Sequence, residues 1–187
     1  KDTARNLEAL NADIIIIRHS ATGAPHFLAR FLESSVVNAG DGAHEHPTQG
    51  LLDLLTLRDA WSHRFEGRRI AIVGDIAHSR VARSAIAGLL TLGASITVCG
   101  PATLMPAEVE ALGCTVAPSV EEALEGADAV MALRLQRERM DRGLLASSGE
   151  YARVWGLTLD RVARMKKDAV VMHPGPMNRG VEIAPEV

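Results

Sequence analysis

The residues of this 187-residue sequence that could do chemistry gather in five polar clusters, each following a short apolar run. They are Arg18-His19-Ser20, a loop over residues 38–49 that ends His46-Pro47-Thr48-Gln49, the stretch 74–80 with Asp75, His78, Ser79 and Arg80, the stretch 134–139 with Arg134 and Gln136, and His173-Pro174-Gly175-Pro176. Together they offer arginines and neutral polar groups. There is no carboxylate cluster, no metal-ligand spacing and no nucleophile beside a base. Such a set is suited to binding and polarising an anionic substrate, and by itself it names none.

Each cluster admits two readings. Pro47 suits the first position of a helix and makes His46 its cap, so the positive end of the helix dipole favours a neutral imidazole. That ring either caps the helix or donates a hydrogen bond to a carbonyl on which negative charge develops. Arg80 falls in the first turn of a helix, where the dipole disfavours a cation. Either Asp75 pairs with it, or a bound carboxylate does. After residue 131, Arg134 and Gln136 alternate toward one side, while Arg137, Glu138 and Arg139 read as a solvated charge run on a helix. In residues 173–176 proline and glycine fix a backbone that cannot enter a helix, which makes either a plain turn or a set of carbonyls free to accept from a ligand amide.

The elements that must position these clusters are β-branched runs alternating with helical patterns. Strands are predicted over residues 13–18, 35–38, 69–74, 95–99, 114–117, 127–131 and 168–172. Helices are predicted over 25–33, 47–63, 79–93, 106–112, 120–125 and 157–164, and the opening residues also read as helical through Leu7 and Leu10. This is βαβ spacing, which implies an α/β fold built on parallel sheet, with continuous apolar strands such as Ile70-Ala71-Ile72-Val73 covered on both faces. Ligands of such sheets lie in a crevice at the carboxyl ends of the strands, which is where the clusters fall. The helix after residue 46 reads as a bridge between two lobes.

Composition excludes several classes. Apolar residues make up 47% and the net charge is -3, which suits a folded chain with a real core. With 20 basic against 23 acidic residues and 3% aromatics, nucleic acid is not an expected partner. The apolar run 14–17 is too short for a membrane span or a signal core, so no membrane association is expected. Cys99 and Cys114 sit in strand-like surroundings and read as buried free thiols, consistent with a reducing cytoplasm. The chain opens on Lys1, inside a helical pattern, and a preceding segment is expected.

Residues 38–42, Asn-Ala-Gly-Asp-Gly, followed by His46-Pro47-Thr48-Gln49, resemble the carbamoyl phosphate motif of transcarbamoylases. The other clusters fall in that family's order over essentially the whole chain. Ornithine-type members usually carry cysteine at the place of Thr48 and a cysteine-leucine-proline variant at residues 174–176. The versions here, and the Arg-x-Gln-x-Glu-Arg pattern of 134–139, resemble the catalytic chains of the aspartate transcarbamoylase (aspartate carbamoyltransferase) family.

The resemblance implies two lobes, each a parallel sheet flanked by helices, with the first incomplete: residues 1–50 a partial carbamoyl phosphate-binding domain, 51–65 an interdomain helix, 66–187 an aspartate-binding domain. It implies transfer of a carbamoyl group from carbamoyl phosphate to L-aspartate, early in pyrimidine synthesis, with no cofactor and no metal. Arg18, His46 and Gln49 would contact carbamoyl phosphate, together with the backbone at Gly175 and Pro176. Arg18 and His46 would be the catalytic pair. Arg80 and Arg134 would hold the aspartate carboxylates and Gln136 would help orient the substrate.

A homotrimer with shared sites is implied, with other pyrimidine-pathway chains as further candidate partners. The family's upstream Ser-Thr-x-Thr-Arg segment, the lysine donated by a neighbouring subunit and the C-terminal helix have no counterpart in these 187 residues. These residues alone are therefore expected to be inactive. Two other readings remain: a different amine acceptor, such as ornithine, and a catalytically silent subunit.

Overall fold

The computed structural model of the chain describes residues 1–135 and 147–187. Helix α1 (Asp2–Glu8) leads to strand β1 (Ile14–His19), helix α2 (Ala24–Ala29) and strand β2 (Ser35–Asp41), and β1 and β2 pair in parallel as a two-stranded sheet. The α1 end is tied to the β2 start, because Glu8 Oε1 accepts from the N–H groups of Glu33 and Ser34 at 2.7 and 2.8 Å. Four consecutive isoleucines account for β1, since branched side chains favour the pleated backbone.

The larger sheet contains β3 (Arg69–Val73), β4 (Ser95–Cys99), β5 (Thr115–Val116), β6 (Ala129–Ala132) and β7 (Val170–Met172), all parallel, in the order β5-β4-β3-β6-β7. The chain runs outward from β3 in one direction and then restarts on its other side at β6. That reversal opens a crevice beyond the carboxyl ends of β3 and β6, the usual ligand position in such sheets.

Alternate residues of β3 serve opposite faces. Ile70 and Ile72 pack in one buried cluster with Ala82, Ile86 and Leu89 of helix α4 (Arg80–Thr91). Ala71 and Val73 pack in another with Val120, Ala123 and Leu124 of helix α5 (Val120–Leu124). The continuous apolar strand is thus explained by burial on both sides.

Helix α3 (Pro47–Ala60) joins the two sheets. Its far half sends Leu57 into the larger sheet's core, beside Trp61 and Phe65. It lies close against α4: a Cβ on Gly50 would stand 3.0 Å from Ser84 Cβ, and one on Gly88 would stand 2.7 Å from a Leu54 methyl. Hydrogen in place of a methyl group on each helix lets the two backbones approach.

Four predicted helices differ, the first being that over 25–33, which stops at Ala29. The helix predicted over 47–63 stops at Ala60, where Ser62 and His63 turn into the left-handed region at φ 49° and 67°. The stretch predicted as a helix over 106–112 holds only a 3₁₀ turn, Val109–Leu112, ended by Gly113 at φ 86°. The helix predicted over 157–164 is confined to α7 (Leu159–Val162), because Leu157 instead bridges Ile183. Helix α6 (Ser148–Trp155) has no counterpart among the predicted elements; Ser147 Oγ starts it by accepting from Glu150 N–H at 3.0 Å. Among the described residues no helix is long and apolar enough to cross a membrane.

The end of the sheet opposite the crevice is pinned by Asp128, which is 2% exposed. It accepts from Arg68 Nη1 at 2.7 Å, from Lys166 Nζ at 2.8 Å and from Arg69 N–H at 3.0 Å. Burial pushes this carboxyl up, but the bonds from Lys166, Arg69 and Arg68 outweigh it and hold the group below its ordinary 3.8. A depressed carboxyl stabilises the fold above its unfolded value and loses that contribution as pH falls through the folded value. Asp128→Asn is therefore expected to cost about 1–3 kcal/mol at neutral pH, with the difference from the parent shrinking below about pH 4. Thermal unfolding at both pH values checks this; equal melting temperatures at neutral pH would remove Asp128 from the account.

Candidate functional site

Arg18 stands near the end of β1, and the β2 end is shaped by glycines. Gly40 (φ 117°) and Gly42 (φ 50°) flank Asp41, which is fully buried. Its carboxylate accepts from Gly23 N–H at 2.6 Å and Asn38 Nδ2 at 3.0 Å, with His44 Nδ1 at 3.3 Å. Burial alone would raise the carboxyl; these bonds prevail and hold it at about 2. The loop so fixed delivers His46 to the start of α3.

His46 occupies the cap position, yet its side chain makes no capping bond. Its N–H donates to Ser84 Oγ at 2.9 Å and its Nδ1 lies 3.2 Å from the Thr48 hydroxyl. The ring therefore turns toward the space between the sheets. Burial, and then the nearby Arg80 and Arg18 guanidinium groups, lower its pKa below the ordinary 6.5. The neutral ring can donate to an oxyanion without repelling the arginines.

Arg80 begins α4, whose N-terminus is capped by Ser79 Oγ accepting from Ala82 N–H at 3.1 Å. Asp75 is engaged by His78, whose N–H donates to Oδ1 at 3.0 Å and whose Nδ1 lies 3.0 Å away. Arg80 itself reaches across to the smaller sheet, where Nη1 donates to Gly42 O at 3.4 Å and the guanidinium lies on Gly40. A Cβ on residue 40 would stand 2.7 Å from Arg80 Cζ.

One cleft of about 220 Å³ gathers Arg18, His46, Gln49, Arg80, Arg134 and residues 174–176, with Ser79 and Val81. A hollow of about 480 Å³ adjoins it through Arg18 and Arg80, and adds His19, Ser20, Gly42, Ala43 and His78. Among the described residues lining the two, none is acidic. Three guanidinium groups on one cleft make it a receptor for anions with planar oxygens. Gln136 and the charge run 137–139 lie outside the described residues.

Three buried carboxylates shape this cleft from behind; the sequence reading quoted Asp41 within the motif of residues 38–42 without giving it a role, and did not single out the other two. Besides Asp41, Asp53 of α3 accepts from Gln49 Nε2 at 2.9 Å. Glu182, 1% exposed, accepts from Leu135 N–H at 2.8 Å, Asn178 N–H at 2.8 Å and Asn178 Nδ2 at 2.6 Å. It thereby ties the residue after Arg134 to the loop that follows residues 173–176. Burial pushes Glu182 up, and the contacts from His173, Asn178 and Leu135 N–H bring it below its ordinary range. The one signal in the sequence was an acid among apolar neighbours: Asp53 amid leucines, and Glu182 between Val181 and Ile183.

Residues 1–59 match the family described as aspartate/ornithine carbamoyltransferase, carbamoyl-P binding domain, and residues 66–187 match the Asp/Orn binding domain of the same family. The chain belongs to the aspartate/ornithine carbamoyltransferase family. The aspartate carbamoyltransferase catalytic subunit of Heliobacterium modesticaldum is 57% identical over 186 residues, and that of Syntrophotalea carbinolica 56% over 187. The alignments take in 100% of this chain and 59% of each relative, so the chain spans about three fifths of their length.

Among solved structures, Trypanosoma cruzi aspartate transcarbamoylase in complex with N-(phosphonacetyl)-L-aspartic acid is similar, with a TM-score of 0.81 and 30% identity over 98% of this chain and 60% of that one. Thermus thermophilus ornithine carbamoyltransferase shares the fold with a TM-score of 0.82, at 24% identity, over 99% of this chain and 60% of its own.

A depressed histidine is protonated in the unfolded chain before the folded one, so His46 withdraws stability as pH falls below 6.5 and none above it. Titration of its ring protons by NMR is expected to give a midpoint below 6.5, rising in the Arg80→Ala variant as a neighbouring charge and some cover are removed. A midpoint unmoved by that substitution would show that Arg80 does not act on the ring.

Proposed function

We propose that the protein carrying this chain is an aspartate carbamoyltransferase, forming N-carbamoyl-L-aspartate and phosphate from carbamoyl phosphate and L-aspartate, an early step of pyrimidine synthesis. The observation that carries the reading is the convergence of Arg18, Arg80 and Arg134 with His46 and Gln49 on one cleft between the two sheets. The names of the relatives at 57% and 56% identity support aspartate as the amine. A silent subunit is not favoured, since the convergent groups are intact.

In this reading Arg18 and His46 hold the carbamoyl oxygen, while Gln49 and the carbonyls near Gly175 and Pro176 accept from its amide. Arg80 and Arg134 take the two carboxylates of aspartate, and Gln136 helps orient it. The amine nitrogen attacks the carbamoyl carbon, giving a tetrahedral oxyanion that Arg18 and the neutral His46 stabilise. Collapse breaks the bond to the phosphate oxygen, phosphate departs with that electron pair, and the nitrogen loses its extra proton. Holding both anions in one cleft supplies much of the acceleration, since orientation is worth up to about 7–11 kcal/mol.

The division into residues 1–50, an interdomain segment 51–65 whose helical part ends at Ala60, and residues 66–187 fits a cleft formed between two lobes. Trimer formation with shared sites, and a cytoplasmic setting, complete the proposal. The free thiols suit a reducing compartment: Cys99 is buried and pushed up to about 12, and Cys114 is also raised. Because the chain spans 59% of its relatives' length, turnover is proposed for the full-length polypeptide and not for these residues alone.

In that polypeptide, Arg134→Ala is expected to raise the aspartate KM about ten- to a hundredfold with little change in carbamoyl phosphate affinity, as loss of a charge-assisted bond requires. His46→Ala is instead expected to lower kcat about a hundred- to a thousandfold. Steady-state kinetics with each substrate varied separates the two; unchanged aspartate KM in the first, or a loss under about threefold in the second, would overturn that residue's role.

A further inference from the structure

We infer that Asp53 is a positioning residue of the carbamoyl subsite, fixing which way round the Gln49 amide faces the cleft. The inference rests on the proposed role of Gln49 as a ligand of the carbamoyl amide. Gln49 and Asp53 are four residues apart on α3, so they share one face of the helix. Gln49 lines the cleft, and its Nε2 donates to Asp53 Oδ1 at 2.9 Å.

An ionised carboxylate can only accept, so it compels the glutamine to turn its NH₂ inward. The carbonyl Oε1 is then the group offered to the cleft. That oxygen can accept from a carbamoyl NH₂, as can the backbone carbonyls on the residue 174–176 side. Turned the other way, the amide would set NH₂ against NH₂, and the contact would become a repulsion between donors.

Packing does not explain an acid at this place. Asp53 is 6% exposed, and among the described residues its Oδ2 has no hydrogen-bond partner. A buried carboxylate oxygen left unmatched lowers stability. Burial pushes the group up to about 6 even though the Gln49 bond pulls it down. An asparagine would fit the same space without the charge. What asparagine cannot do is dictate the direction of the Gln49 amide, because it offers both a donor and an acceptor.

The test uses the full-length polypeptide at about pH 8, where a carboxyl titrating near 6 is ionised. Asp53→Asn is expected to raise the KM for carbamoyl phosphate about tenfold, with the aspartate KM at saturating carbamoyl phosphate changed less than about twofold. Its melting temperature should not fall below the parent's. On a Gln49→Ala background the same substitution should add no further loss, because two residues acting through one contact are not additive.

A full additional loss on that background would overturn the inference, and so would a lowered melting temperature with an unchanged carbamoyl phosphate KM. If Gln49→Ala alone left that KM unchanged, the role of Gln49 would fall first and that of Asp53 with it.

Discussion

Arg80 belongs to the larger sheet by sequence and to the smaller one by contact. It starts the helix that follows β3, yet its guanidinium lies on the Gly40 backbone and donates to Gly42 O at 3.4 Å. Any side chain at residue 40 would collide with it. The crossing also brings its charge near His46, where it helps to lower the imidazole pKa. α3 and α4 also pack closely, at Gly50 against Ser84 and at Gly88 against Leu54. With the bond from His46 N–H to Ser84 Oγ of α4, that crossing brings Arg18 and His46 onto the same cleft as Arg134 and residues 174–176.

The cleft concentrates positive charge, and among the described residues the acids lie behind its lining and not in it. Asp41, Asp53 and Glu182 are buried, and each bonds to a backbone N–H or an amide that shapes the lining. Their negative charge supports the geometry without competing for the cleft's arginines. His46 completes the arrangement as a neutral donor among cations. Among the described residues the lining presents donors already oriented by the loops and helices that carry them, an arrangement that favours an anionic ligand.

Much of this was legible in the sequence, for reasons specific to particular residues. The apolar run of β3 announces a buried parallel strand, the isoleucines of β1 announce a strand although Ile14 and Ile16 stay 60% and 70% exposed, and polar clusters placed after such strands announce a crevice. Arg18, His46, Arg80 and Arg134 stand out because they fall in the order of one family's motifs, although His46 and Arg80 taken singly also admitted a structural reading. Asp41, Asp53 and Glu182 did not stand out, since burial arises only when distant segments meet. Helix α6 opens within a Ser-Ser-Gly stretch, residue types that read as a loop, and this hides its start. The premature end of α3 depends on Ser62 and His63 entering the left-handed region, which neither residue type signals strongly.

The central claim is that one cleft, built from both sheets, receives two anionic substrates together. Calorimetry of the full-length polypeptide with N-(phosphonacetyl)-L-aspartic acid tests it most directly, since that molecule carries a phosphonate and two carboxylates on one backbone. The account expects it to bind at least about a hundredfold more tightly than either aspartate or phosphate, as molecules resembling both reacting partners do. An affinity no better than that of the tighter of the two would contradict a shared cleft.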